Sequence, residues 1–169
     1  MAPLILIMKY FVTGPQRSGS TFVSRCLSHD YGILHFDEVD YGLFDYKRFV
    51  DLVKGHGSWV VHGPAMFHRT MDVVKDFPDA TIVVVRRDIK DILKSQERIQ
   101  WDDRMERRNL RVRGDKRPIA QIKYDIWDVW KCSIKHYLEY QYGDFSRHPL
   151  WVDKEQRTNF KQKQWGLEG

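Results

Sequence analysis

The stretch "TGPQRSGST", Thr13 to Thr21, sets two glycines, three later hydroxyl side chains and one cation, Arg17, between a short apolar run and an apolar helical pattern. Glycines at both ends of a strand-to-helix turn let backbone N–H groups converge on an anion, and the dipole of the following helix adds to the attraction. Ser18, Ser20 and Thr21 supply further donors. The nucleotide loop G-x-x-x-x-G-K-[ST] carries Lys between its second glycine and its hydroxyl residue; here Ser20 fills that slot and the charge sits upstream at Arg17. Nucleoside triphosphatases and kinases also place a carboxylate at the end of an apolar strand to hold Mg²⁺. In this chain the third and fourth apolar runs end instead in His62 and in Arg86-Arg87. Cations there suit an anionic group bound directly, with no metal.

The elements that must position these residues are legible as alternating patterns. "KYFVTG" reads as a buried strand ending in glycine, and "STFVSRCLSHD" as the helix it feeds. "ILHFDEV" (Ile33 to Val39) reads as a second strand, "YKRFVDLVKGHG" as a helix with a glycine stop, and "SWVVHG" as a third strand. "TMDVVKDF" is a short helix, and "ATIVVVRR" is a strand apolar enough to be covered on both faces. Alternation of this kind predicts a three-layer α/β fold, a central parallel sheet of about four to five strands with helices on both faces. Ligands bind such sheets at the carboxyl ends of the strands, where Gly14, Asp37-Glu38, His62 and Arg86-Arg87 fall. Further on, "IAQIKYDIWDVWKCSIKHYLEYQYGDF" reads as one long amphipathic helix, and "HPLWVDKEQR" as a short edge strand.

Composition bounds the rest. The 169 residues, 42% hydrophobic with six tryptophans, suit one folded domain spanning 1–169, and a mean hydropathy of −0.56 argues against a membrane protein. The formal charge is +5, and residues 98–118 contribute most of the surplus as a charged lid or exposed extension. Its mixed signs, with little aromatic interleaving, do not point to nucleic acid. Cys26 and Cys132 form no metal or redox motif and read as buried thiols in a cytoplasmic protein.

Two of these segments together resemble the sulfotransferases. "TGPQRSGST" is similar to that family's 5′-phosphosulfate loop, and "RDIKDILKS", from Arg87 to Ser95, to its 3′-phosphate motif. "HPLWVDKEQRTNFKQKQWG" adds a weaker likeness to the C-terminal segment of small bacterial-type members. The resemblance implies a P-loop-type α/β fold akin to nucleotide kinases, 3′-phosphoadenosine 5′-phosphosulfate as donor, 3′,5′-adenosine bisphosphate as product, and no metal. It implies that Gly14, Pro15, Gln16, Arg17, Ser18, Gly19, Ser20 and Thr21 hold the 5′ end, that Arg17 is catalytic, and that Arg87 and Ser95 hold the 3′-phosphate. The guanidinium fork of Arg87 suits a phosphate in its own right, whereas Arg86, on the alternate face, reads as structural.

Transfer to an acceptor hydroxyl or amine needs a base, and two residues offer one. His62, in "VVHGP", looks like the histidine of the cytosolic members, although Val60-Val61 replaces the lysine-containing pair that precedes it there. Glu38, in "HFDEVDY", matches the glutamate base of the carbohydrate sulfotransferases. His35 and His68 read as packing or surface residues. Tyr41, Phe44, Trp101, Trp127 and Trp130 are candidates to line an acceptor pocket, with core the better reading of Trp127 and Trp130. The acceptor itself, whether a small molecule, carbohydrate or peptide, is not encoded in any motif. Two other functions fit the sequence: a Mg²⁺-dependent P-loop kinase with a degenerate loop, its acid drawn from Asp37 or Asp40, and a non-catalytic protein that grips a polyanion through the charged segment.

Overall fold

The computed structural model describes residues 6–151. Five strands form one sheet: β1 (Lys9–Thr13), β2 (Leu34–Phe36), β3 (Trp59–His62), β4 (Thr81–Arg86) and β5 (Tyr137–Gln141). All pairings are parallel and the order is β2-β3-β1-β4-β5. The connections carry helices α1 (Ser20–Tyr31), α2 (Glu38–Tyr41), α3 (Tyr46–Val53), α4 (Thr70–Asp76), α5 (Ile89–Arg98), α6 (Arg104–Asn109) and α7 (Ile119–Trp130). A 3₁₀ turn, Pro64–Arg69, leads out of β3.

Strand side chains alternate between faces, and the core divides accordingly. Phe11, Val61, Ile82 and Val84 pack with Phe49 of α3, Val73 of α4, Ile92 of α5 and Trp127 of α7. Val12, Val60, Val83 and Val85 face the other way and pack with Val23 and Leu27 of α1. The expected three-layer parallel α/β architecture is therefore present, and the continuous apolar run of β4 is explained by burial on both faces.

Three segments differ from the sequence expectation. The β2 pattern stops at Phe36, because Asp37 caps α2: its side chain accepts from the Glu38 N–H while the Asp40 carboxylate accepts from the Asp37 N–H. Local capping thus overrides the strand pattern, and Glu38 begins a helix instead of ending a strand. The long amphipathic helix ends at Trp130, and its remaining apolar residues form the 3₁₀ turn Lys131–Ser133 and then β5. Tyr137, Leu138 and Tyr140 fit a strand as well as a helical stripe, so short apolar spacing did not decide between them. The expected edge strand at "HPLWVDKEQR" begins in turns at His148 to Trp151 and otherwise lies outside the described residues. Cys26 is buried as expected, but Cys132 is exposed.

The charged segment contains α6, and it is anchored. Glu106, 3% exposed, pairs with the equally buried Lys123 of α7 at 3.0 Å. Trp101 Nε1 donates to the same carboxylate at 3.2 Å. No helix among the described residues is long and apolar enough to cross a membrane.

Candidate functional site

β1 lies between β3 and β4, so the chain after Thr13 leaves the sheet in the crevice between their carboxyl ends, where open α/β sheets bind ligands. The turn is built from left-handed residues: Gly14 at φ 120°, Arg17 at 69° and Gly19 at 99°. Glycine is demanded at position 19 twice over, since a Cβ there would also lie 3.0 Å from the Tyr142 ring. Arg17 pays a backbone penalty of order 1–3 kcal/mol for its conformation. Two side chains from the β4–α5 unit hold it: Arg87 Nη1 donates to the Arg17 carbonyl at 2.8 Å, and Gln96 Nε2 to the Gln16 carbonyl at 3.1 Å.

The same unit meets the Arg17 side chain. Its Nε donates to Ser95 Oγ at 2.8 Å. Residues about seventy positions apart thus converge, with Arg17, Ser18, Arg87 and Ser95 at one end of the crevice. The strand-to-helix turn at Asp88, which caps α5 by accepting from the Lys90 N–H, folds Arg87 back over the loop. Two buried donors here have no hydrogen-bond partner among the described residues: Ser18 Oγ and Arg87 Nε. An unmade hydrogen bond of this kind costs about 1–3 kcal/mol, and an anion in the cradle would relieve it. Arg87 also lies over the Tyr142 ring, 4.1 Å from its centroid.

A second group sits beside the loop hydroxyls. His62, with no solvent exposure, places Nε2 2.8 Å from Ser20 Oγ and 3.3 Å from Thr21 Oγ1, and Nδ1 2.8 Å from Asp37 Oδ1. A carboxylate only accepts, so the Asp37 contact places the proton on Nδ1. Tyr41 donates to the His62 carbonyl at 2.6 Å, and burial holds its phenol far above the usual range, so that it remains a donor. Glu38 is equally enclosed: Oε2 accepts from the Ala65 N–H at 2.7 Å and from Gln16 Nε2 at 3.3 Å, tying the turn after β3 to the loop. Asp37, Glu38 and His62 bring ligand-type atoms within 4.8 Å of one another.

Lys123 approaches from α7, 1% exposed, with Nζ 3.2 Å from the Gly14 carbonyl and 2.9 Å from the Pro64 carbonyl. It braces the loop from the side of Glu106. Lys123, Gln96 and Tyr142 were not singled out by the sequence, since each stands in an ordinary helical or polar pattern with no motif around it. The expected aromatic pocket is largely absorbed elsewhere. Tyr41 and Trp127 are fully buried, Trp130 stacks on Phe67 at 5.2 Å, and Trp101 is bonded to Glu106. Arg86 is structural, bonded to Asp128 and Glu139. His35 is half-buried against Ser24 Oγ at 2.8 Å.

Among solved structures, the shikimate kinase of Bacteroides thetaiotaomicron superimposes with a TM-score of 0.51 at 8% identity, over 95% of this chain and 99% of its own. The shikimate kinase of Acinetobacter baumannii, solved in complex with shikimate, gives 0.51 at 13% identity, over 95% and 92%. The chain has a P-loop-type α/β fold. At these identities the likeness concerns the fold alone. No family model and no curated protein sequence matches the chain.

Proposed function

We propose that this protein is a P-loop-type transferase that moves a sulfuryl group from 3′-phosphoadenosine 5′-phosphosulfate to a hydroxyl or amine acceptor. The observation that carries the reading is the convergence of Arg17, Arg87 and Ser95, with the buried Ser18 hydroxyl awaiting a partner. Loop N–H groups, Ser18 and Arg17 would bind and stabilise the 5′ end of the donor, and Arg87 with Ser95 its 3′-phosphate. Arg17 would offset charge that builds on the leaving phosphate, an electrostatic role whose loss costs on the order of 10²–10³ in rate.

A second reading is a P-loop kinase acting on a small molecule. The two solved structures described above are kinases, which accords better with this reading than with sulfuryl transfer. The loop chemistry pulls the other way. The lysine slot holds Ser20, and the acids at the end of β2 are engaged in capping α2 and in bonding His62.

The two part on the 3′-phosphate. Titration calorimetry with 3′,5′-adenosine bisphosphate and with 5′-AMP should show the bisphosphate binding at least tenfold more tightly, and Arg87→Ala should erase that difference. Equal affinity for the two nucleotides in the wild type would remove the 3′-phosphate assignment.

A further inference from the structure

His62 has no exposed surface, so no acceptor touches it, yet it is poised as a base. Its Nδ1–H is committed to Asp37, and its Nε2 lone pair faces Ser20 Oγ at 2.8 Å. Titratable neighbours among the described residues include Glu38, with Oε1 3.7 Å from Nδ1, Tyr41 at the His62 carbonyl, and Lys123 at the nearby Pro64 carbonyl. Ser20 occupies the slot from which a loop lysine reaches toward the transferred end of a bound nucleotide. It is the first residue of α1 and is 3% exposed, so it keeps a narrow solvent-facing edge that His62 lacks.

We infer that Ser20 is a relay hydroxyl through which the Asp37–His62 pair removes the acceptor's proton, an inference that rests on the group-transfer reading above. As the acceptor oxygen bonds to sulfur, the sulfur–oxygen bond to the 5′-phosphate breaks and its electron pair leaves on the phosphate. Ser20 Oγ takes the acceptor's proton and passes its own to His62 Nε2. Asp37 stabilises the imidazolium formed, which returns its proton through Ser20 Oγ to water in the emptied crevice before the next turnover. The missing loop lysine then has a purpose: an ammonium in that slot would offer no acceptor for the proton. His62 and Asp37 act through Ser20 and are positioning residues.

The test combines kinetics with imidazole ¹⁵N NMR of the full-length protein. Ser20→Ala should lower kcat by about 10²-fold, the lower end of general-base effects. It should leave the affinity for 3′,5′-adenosine bisphosphate within about threefold, since the cradle retains its other donors, and it should abolish the acidic limb of the kcat–pH profile. Asp37→Asn, whose amide oxygen can accept from both the Glu38 N–H and His62 Nδ1–H as Asp37 Oδ1 does, removes the charge that stabilises the imidazolium and should lower kcat while the His62 proton stays on Nδ1. Wild-type kcat and pH profile in Ser20→Ala would overturn the relay, as would a wild-type His62 protonated at Nε2 near neutral pH. The NMR readout is independent of the donor. If the wild type moves phosphoryl groups from ATP and no sulfuryl group, the donor assignment fails alone, and the same variants read the relay on the phosphoryl transfer.

Discussion

Arg17 combines two roles that its neighbours make compatible. Its backbone is left-handed, and its side chain is aimed at Ser95 by bonds from the β4–α5 unit. Replacing it separates the roles. An L-residue pays roughly 1–2 kcal/mol in this conformation, whereas glycine adopts it freely but loses more entropy on folding. Arg17→Gly should therefore melt no lower than Arg17→Ala, which loses the same bond to Ser95, while transfer falls about 10²–10³-fold in both; a lower melting temperature for the glycine variant than for the alanine one would contradict the strain. The thiols differ just as sharply. Burial pushes Cys26 up to about 12, while Cys132 is exposed. Brief alkylation at neutral pH, read by peptide mass spectrometry, should therefore label Cys132 and spare Cys26. The meeting of Arg17, Arg87 and Ser95 was anticipated only through the resemblance of two motifs, since spacing along the chain does not by itself bring a strand end and a helix residue to one loop. The enclosure of His62 was not, because exposure depends on Tyr41, Glu38 and the turn after β3, which meet it only in the folded chain.

At the scale of elements, the loop is braced from two sides, and each brace predicts a different failure. Gly63, which links β3 to the following 3₁₀ turn, has no room for a side chain: a Cβ there would lie 2.7 Å from Phe11 and 2.9 Å from the Tyr41 hydroxyl. Gly63→Ala should cost about 1–3 kcal/mol by overpacking, measured by urea denaturation. The Lys123–Glu106 pair is buried on both sides, so Lys123→Met strands a carboxylate and should cost about 3–5 kcal/mol. The double variant Lys123→Met, Glu106→Leu should recover much of that loss; no recovery would mean that the Gly14 and Pro64 carbonyl contacts carry the effect instead. β1, β3 and β4 were legible because their β-branched and aromatic runs are bounded by turn residues, whereas β2 was legible in place but not in length, because the Asp37 cap ends it at Phe36. β5 was not, because its apolar residues continue the helical spacing of α7, and only pairing with β4 decides their conformation.

For the whole molecule, the parallel sheet and its helical layers set where a ligand belongs, and folding linkage gives two global observables. The first is pH. Burial lowers both His35 and His68 below the usual histidine range, so below about pH 6.5 the unfolded chain binds more protons than the folded one. Stability should fall as pH drops from 7 toward 5, and His35→Gln should flatten that slope. The second is ligand binding, which bears on the central claim that this P-loop-type fold has been adapted to a donor with a 3′-phosphate and no magnesium. Thermal unfolding with 3′,5′-adenosine bisphosphate at about 100 times its Kd should show roughly 2.7 kcal/mol of stabilisation, unchanged by EDTA. ATP with Mg²⁺ should produce a much smaller shift. Stabilisation by ATP with Mg²⁺ and none by the bisphosphate would contradict the account and leave the kinase reading in its place.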